Sequence, residues 1–229
     1  MRLAIFVRQC LLVAGSCVLS VSTFAQAPWK EEAFDKELNI KVYTRSVESS
    51  ELKEFKGTTL IKAPLSAFVA LLKDTEVATE WMKDVVEYRV LEESSETEAL
   101  VYTVNAAPWP VTNRDSVIRT KMSLTKNGAV LVSLLGEPEA TETYDDYVRM
   151  AALKGFWEFA PKSDGTVEVT YQVHADPGGS LPNWLVNSIV IETPLETLAN
   201  MHDRIHDEKY QGKSYSFMQS INASSISSN

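Results

Sequence analysis

The chain has 229 residues, with 22 Lys or Arg against 31 Asp or Glu, so its formal net charge is −9. This acidic balance argues against nucleic acid as a partner and against permanent electrostatic docking on anionic membranes. The length is sufficient for one domain with a sizeable hydrophobic core.

The start of the chain has the pattern of a secretory signal peptide. A basic front with Arg2 and Arg8 precedes an apolar run at residues 10–21, and the small residues Thr23 and Ala25 favour cleavage after Ala25. We therefore expect residues 1–25 to be removed and the mature protein to be periplasmic or secreted. A lipoprotein signal around Cys17 is the alternative interpretation of this segment.

Removal of this signal peptide changes the chemistry of the chain. Both cysteines, Cys10 and Cys17, leave with it, so the mature protein is predicted to have no disulfide and no thiol nucleophile. We predict one domain at residues 26–210, followed by a disordered Ser- and Asn-rich tail at residues 211–229.

The first part of the mature sequence predicts short helices and two strands. Trp29, Ala33 and Phe34 share a helical face within residues 29–39, and alternation predicts strands at residues 40–45 and 52–61. Gly57, inside the second strand, is a candidate bulge. Residues 64–73 predict a helix, and residues 74–82 predict a second short helix or turn.

The middle of the chain predicts a run of antiparallel strands at residues 85–92, 98–105, 116–124, 129–135, 147–159 and 167–175. The strand at residues 116–124 alternates most regularly, with Ile118, Thr120 and Met122 on one face. The pair Asn127-Gly128 is a hairpin signal.

The stretch from Asp176 to Ile205 predicts a turn followed by a long helix. Ser180 is a plausible N-cap, and an apolar face recurs at helical spacing along Trp184, Ile191, Leu195, Leu198, Met201 and Ile205. Two interpretations of this helix stay open: a helix packed on a sheet, or a lid over a cavity. The order of elements predicts an α+β fold in which one curved antiparallel sheet grips this helix.

Motifs that would indicate catalysis are weak. His202 and His206 have the i, i+4 spacing of two zinc ligands, but no third ligand accompanies them, and a solvated helix end is the better interpretation. His174 lies in a strand without a nucleophile motif. We therefore predict no catalytic residue, no metal site and no cofactor. Arg114 and Asp115 are interpreted as ties between a loop and a strand.

Three stretches resemble the START family, the lipid-transfer domains related to the steroidogenic acute regulatory protein. They are Val42-Tyr43-Thr44-Arg45 with Phe55-Lys56-Gly57, then Pro108-Trp109-Pro110-Val111-Thr112-Asn113-Arg114-Asp115, then Asp176-Pro177-Gly178-Gly179-Ser180-Leu181-Pro182-Asn183-Trp184-Leu185-Val186-Asn187. The last two are especially similar to those of the phosphatidylcholine transfer protein. The resemblance extends from Trp29 to His206, and Arg149 falls where the family often has an arginine.

The resemblance implies a helix-grip fold that holds one lipid between the sheet and the C-terminal helix. The headgroup positions of characterised members differ here: the phosphate-binding pair falls on Ala78 and Gly155, two cage aromatics on Leu72 and Thr103, and the acid–base pair of sterol binders on Val101 and Thr120. Because no buried cation is evident, we expect a neutral or weakly polar lipid.

We predict a monomeric lipid-binding or lipid-transfer protein with transient membrane contact. An enzyme that uses the same cavity and a protein-interaction module are the alternatives. The predicted ligand-binding residues are Val101, Thr103, Ile118, Thr120, Met122, Ala152, Trp157, Ile191, Leu195 and Leu198.

Overall fold

A computed structural model describes residues 26–48 and 50–219. The predicted signal peptide and residues 220–229 of the predicted tail lie outside this part of the chain. Its strands and α-helices are β1 Lys30–Asp35, β2 Ile40–Val47, β3 Ser50–Ile61, α1 Leu65–Lys73, α2 Ala78–Trp81, β4 Val85–Ser95, β5 Glu98–Asn105, β6 Arg114–Leu124, β7 Val130–Gly136, β8 Val148–Arg149, β9 Ala152–Pro161, β10 Val167–Asp176 and α3 Asn183–Arg204.

The strands form one sheet in the order β1-β2-β3-β10-β9-β7-β6-β5-β4, and β8 pairs with β6. Each pair along this path is antiparallel, whereas β8 runs parallel to β6. The long helix α3 contacts β2 and β3. The predicted α+β arrangement, a curved antiparallel sheet around a C-terminal helix, is confirmed.

The predicted helix at residues 29–39 is wrong, because this segment forms β1 and a turn. β1 pairs with β2 from Lys30↔Thr44 to Asp35↔Ile40, with a register shift between Glu31 and Ala33. That irregularity disrupts the two-residue alternation, so the apolar spacing imitates a helical face.

The predicted single strand at residues 147–159 is two strands, β8 and β9. Between them, the Met150 amide donates to the carbonyl of Asp115 and the Ala151 amide to that of Asp176. The backbone therefore changes partner from β6 to β10 at this point.

The helix α3 begins at Asn183, after Pro182, rather than after Ser180, and it continues through Pro194. The predicted kink at Pro194 stays a prediction. Leu198, Met201 and Ile205 are fully buried in the main core, together with Phe68, Trp81 and Phe159 of the surrounding elements. Trp184, predicted on the same face, is 59% exposed.

Gly57 is not a bulge. It pairs in regular register with Val42 on one side and Tyr171 on the other. A Cβ at Gly57 would lie 2.7 Å from Leu198 Cδ1 and 3.0 Å from Pro194 Cβ. The glycine therefore permits close approach of α3 to the sheet.

The predicted tail is ordered at residues 211–219, so disorder beginning at Gln211 is wrong. Tyr215, Phe217 and Met218 pack against the main core. The Ser216 amide also donates to the carboxylate of Glu96, at 3.2 Å. Burial of these apolar side chains extends the domain beyond its predicted end at residue 210.

Candidate ligand-binding site

A cavity of about 1020 Å³ lies between the sheet and the N-terminal half of α3. Side chains from β3, β4, β5, β6, β7, β9 and β10 form one wall, and Leu181 together with residues 184–193 forms the opposite one. Most of the lining residues are apolar. This volume is at the upper end of the range of about 300–1,000 Å³ for small-molecule sites.

One side of the cavity follows from the strict alternation of β6. Ile118, Thr120 and Met122 all line it, as the sequence predicts for one face of a strand. On β5, Val101 lies opposite Ile118, and Thr103 lies opposite Ser116; both β5 residues also line the cavity. Adjacent strands thus present a continuous surface.

A second side is aromatic. Trp157 on β9 and Tyr171 on β10 lie opposite each other and stack with ring centroids 3.8 Å apart and planes 5° apart. Phe55 on β3 meets Tyr171 edge to face at 5.2 Å. Burial raises the pKa of the Tyr171 hydroxyl above its ordinary range, so this wall stays uncharged at neutral pH.

Seven of the ten predicted ligand-binding residues line the cavity, and Ala152, Leu195 and Leu198 do not. The seven are Val101, Thr103, Ile118, Thr120, Met122, Trp157 and Ile191. Direct contact of these side chains with a ligand stays a prediction.

The sequence predicts both Ala152 and Trp157 as wall residues, with Gly155 between them as a candidate shift in the alternation of the strand. β9 is in regular register through Gly155 with both neighbours, so Leu153 lies on the cavity side with Trp157 and Ala152 is exposed. A side chain at position 155 would meet the carbonyl of Gln172 at 2.4 Å, which gives the glycine a reason other than a bulge.

Leu195 and Leu198 lie beyond the part of α3 that covers the cavity, which ends at Thr193. Leu198 is fully buried against Gly57, and Leu195 packs against the main core. The helix therefore has a cavity-covering half before Pro194 and a core-packed half after it. The interpretation of α3 as a lid over a cavity describes the first half, and the interpretation as a helix packed on the sheet describes the second.

The sequence interpretation missed Arg114, which lines the cavity and is only 6% exposed. The strand was predicted to begin at Ser116, whereas β6 begins at Arg114. Continuing the alternation back from Thr120 and Ile118 through Ser116 reaches Arg114 on the same face. The premise that the site has no buried cation is therefore wrong.

Asp115, the next residue, lies on the opposite face of the strand and binds Arg149. Arg149 Nε donates to Oδ1 at 3.0 Å, and Nη2 donates to Oδ2 at 2.9 Å. The predicted tie between loop and strand is present in another form, since Arg114 Nη1 donates to the carbonyl of Thr112.

Four further charged side chains line the cavity: Lys53, Lys83, Asp84 and Glu192. Lys53 pairs with Glu32 at 3.5 Å, and Lys83 pairs with Glu196 at 2.8 Å. Burial raises the pKa of the Asp84 carboxyl, against the opposing effect of Lys83.

The histidines lie away from the cavity lining. His202 is half-buried, with its Nε2 2.8 Å from the Thr59 hydroxyl, whereas His206 and Asp203 are exposed. His174 Nε2 is buried and has no hydrogen-bond partner among the residues that the structure describes. Within residues 26–48 and 50–219, no three His, Cys, Asp or Glu side chains are grouped to hold a metal ion. No helix in this part of the chain has the length and hydropathy to cross a membrane.

Comparison with known proteins places the chain in a family. The START domain model matches residues 17–209. An uncharacterized protein of Pseudomonas aeruginosa is 36% identical over 191 residues, which cover 83% of this chain and 94% of that protein.

Solved structures are similar to this chain as well. A STAR-related lipid transfer protein from Xanthomonas axonopodis is 40% identical, with a TM-score of 0.71 over 78% of this chain and 99% of that one. Human StAR-related lipid transfer protein 5 has a TM-score of 0.69 at 16% identity over 77% of this chain and 86% of that one, a likeness of fold alone. The chain described here therefore belongs to the START domain family.

Proposed function

We propose that the protein is an exported lipid carrier that holds one lipid between the sheet and α3. The observation that carries this proposal is the largely apolar cavity of about 1020 Å³. Burial of hydrocarbon in such a cavity is favourable in proportion to the apolar area removed from water. The similarity to a structure described as a STAR-related lipid transfer protein supports the same function.

The length of the lining also suits a lipid. Arg114 and Met122 both line the cavity and are eight residues apart on β6, which corresponds to about 27 Å of extended strand. One leaflet of a bilayer's hydrocarbon core is about 15 Å deep. The lining is thus long enough for an acyl chain together with its head group.

Two exposed tryptophans support transient contact with a membrane. Trp109 is 92% exposed and follows Pro108, which lines the cavity, and Trp184 is 59% exposed and lines it directly. Tryptophan is enriched where an apolar phase meets water. We propose that a monomer touches the membrane through this region when lipid enters or leaves.

We propose binding and transfer rather than catalysis. All three histidines of the chain fall within the described residues and none lines the cavity, while Lys53 and Lys83 are each held in ion pairs. The lining does contain one titratable pair, Lys83 and Asp84 at 3.7 Å, but Lys83 is also held by Glu196 at 2.8 Å. An enzyme site is expected to bring together titratable groups that act as a pair on a substrate.

Export is proposed from the sequence of residues 1–25. The precursor should lose this segment and appear in the periplasm or the medium. Cell fractionation followed by mass determination of the intact protein tests this, and a full-length chain in the cytoplasm would contradict export without affecting the lipid proposal.

The experiment for lipid binding is incubation of the purified protein with vesicles of phosphatidylethanolamine, phosphatidylglycerol and oleic acid, followed by reisolation and native mass spectrometry. We expect one lipid per chain. A protein that returns without any lipid adduct would refute the proposal.

A further inference from the structure

Arg114 carries a cationic group without an acidic partner among the described residues. Its side chain lines the cavity and its residue is 6% exposed. Nη1 donates to the carbonyl of Thr112, whereas Nε is buried and has no hydrogen-bond partner in the described part of the chain. Within residues 26–48 and 50–219, no carboxylate forms an ion pair with this guanidinium. An arginine stays protonated at any physiological pH, so a positive charge is buried here.

Two other arginines of this protein bind carboxylates through one edge of the guanidinium, the edge that carries Nε and Nη2. Arg149 binds Asp115 through Nε and Nη2, and Arg119 binds Glu137 through the same two atoms at 2.8 and 3.0 Å. In Arg114 neither atom of this edge donates to any group in the described part of the chain. A two-oxygen anion fits such an edge with two parallel hydrogen bonds.

Asp115, the acidic residue nearest to Arg114 in sequence, already binds another arginine. Asp115 faces the other side of β6, where Arg149 holds both of its oxygens. The lining cations Lys53 and Lys83 are paired with Glu32 and Glu196. Arg114 is therefore the lining cation that no ion pair neutralises among the described residues.

On the cavity face of β6, the residues nearest Arg114 are polar, whereas Ile118 and Met122 further along are apolar, with Thr120 between them donating to the carbonyl of Ala99 at 3.2 Å. Ser116 follows on the same face and shares a hydrogen bond of 2.7 Å with Thr103, and Asn105 lies opposite Arg114 on β5. Ser116, Thr103 and Asn105 line the cavity, and Met122 lies at the apolar end of the same face. This face of β6 thus has a polar, cationic end at Arg114 and an apolar end at Met122.

We propose that Arg114 binds the anionic head of an amphiphile, a carboxylate or a phosphate monoester, whose hydrocarbon chain runs along β6 toward Met122. This assignment rests on the proposed lipid-binding function and replaces the neutral ligand expected from the sequence. The anion supplies the charge that a buried guanidinium requires, since an unpaired buried charge is costly.

The test compares dodecanoate, dodecyl phosphate and dodecanol, which share one chain and differ in the head group, by isothermal titration calorimetry. We expect at least one of the anions to bind about tenfold or more tightly than dodecanol, because hydrogen bonds to charged groups are the strong ones. Which anion binds better identifies the head group. Acetate and inorganic phosphate alone should not bind measurably, and if they bind as tightly as the dodecyl compounds, the site is for a free anion and the assignment is overturned.

The variant Arg114→Met should bind dodecanol as the wild type does and lose the preference for anions. It should also match or exceed the wild type in Tm without ligand, since it removes an unpaired buried cation. Equal weakening of all three compounds would overturn the assignment. If none of the three binds even to the wild type, the proposed lipid-binding function falls. Equal binding of all three by the wild type removes only the role of Arg114.

A second measurement needs no variant. In carbon-13 NMR of carboxyl-labelled dodecanoate bound to the wild type, a carboxylate on Arg114 should have a pKa below that of the free acid. A carboxyl group buried away from a cation should have a raised pKa, and that result would overturn the assignment.

Discussion

The guanidinium of Arg149 holds the carboxylate of Asp115 through two hydrogen bonds, of 3.0 and 2.9 Å, across the parallel pairing of β8 with β6. Asp115 is 1% exposed, and Arg149 also donates to the carbonyls of Pro138, Thr141 and Glu142. The pair joins β8 to β6, the strand that carries Arg114, and so supports one end of the cavity.

Arg149→Met should lower the free energy of unfolding by about 3–5 kcal/mol, because it leaves the Asp115 carboxylate buried and unpaired. Urea unfolding measures this. Arg119→Met is the matched control, since Arg119 binds Glu137 with the same geometry but about a quarter of its side chain is exposed. The control should lose much less. Equal losses in the two variants would contradict a structural role for the buried pair.

Gly57→Ala should destabilise the protein by about 1–3 kcal/mol, the usual effect of overpacking a core. The new methyl group would meet Leu198 Cδ1 at 2.7 Å and Pro194 Cβ at 3.0 Å. Thermal unfolding measures the loss. In a Leu198→Ala background the cost of the same substitution should be smaller, because one of the two contacts is gone. Strict additivity would show that Gly57 does not set the approach of α3.

Asp84→Asn should raise Tm near neutral pH. Partial desolvation in the cavity wall raises the pKa of the Asp84 carboxyl, although 43% of this side chain is exposed, so the folded state holds this proton more tightly than the unfolded state does. The ionised group therefore reduces stability above its raised pKa, and the penalty disappears as the pH falls toward the ordinary range. Asn also suits the left-handed backbone at this position, where φ is 61°.

The gain from Asp84→Asn should accordingly be present near neutral pH and vanish in acid. A Tm that is lower than that of the wild type at neutral pH would contradict it. Asp145, which does not line the cavity, supplies the control substitution, Asp145→Asn.

His202 should make the protein less stable below about pH 6.5. Burial lowers the pKa of its imidazole, with Asp203 and Asp35 opposing the shift and His206 adding to it. The unfolded state takes up a proton near the ordinary pKa of about 6.5, whereas the folded state does not, so stability falls as the pH drops through that value. Urea midpoints measured across this range test the effect.

His202→Gln should remove most of this pH dependence, and His206→Gln, on the exposed position one turn further along, should leave it in place. The opposite result, in which only the His206 variant loses the dependence, would contradict the assignment to His202.

The parts of the fold that the sequence predicts well are those with an undisturbed period. β6 alternates regularly, and Ile118, Thr120 and Met122 lie where that alternation places them. Prediction failed where a tertiary contact overrides the local pattern. The register shift in β1 imitates a helix, and the contact of Gly57 with Leu198 is invisible from either segment alone.

The same reasoning explains the errors at the site. Ala152 does not line the cavity, because β9 keeps a regular register through Gly155 and Ala152 therefore lies on the opposite face from Trp157. Leu195 and Leu198 have the helical spacing of Ile191, but a helix pattern does not indicate where along its length a cavity ends. Arg114 is missing from the predicted site because the predicted strand begins at Ser116, two residues after the start of β6.

The most direct test of the lipid-carrier account is the lipid occupancy of Thr120→Trp against Ser123→Trp. Thr120 lines the cavity, whereas Ser123 is exposed on the other face of the same strand. Leu198→Trp is unsuitable for this purpose, because Leu198 is packed in the core and its enlargement should unfold the protein.

After incubation with the same vesicles, native mass spectrometry should show one lipid per chain for the wild type and for Ser123→Trp, and strongly reduced occupancy for Thr120→Trp. Circular dichroism should show that both variants are folded. Full occupancy in a folded Thr120→Trp would contradict the account, because the lipid would then lie outside the cavity between the sheet and α3.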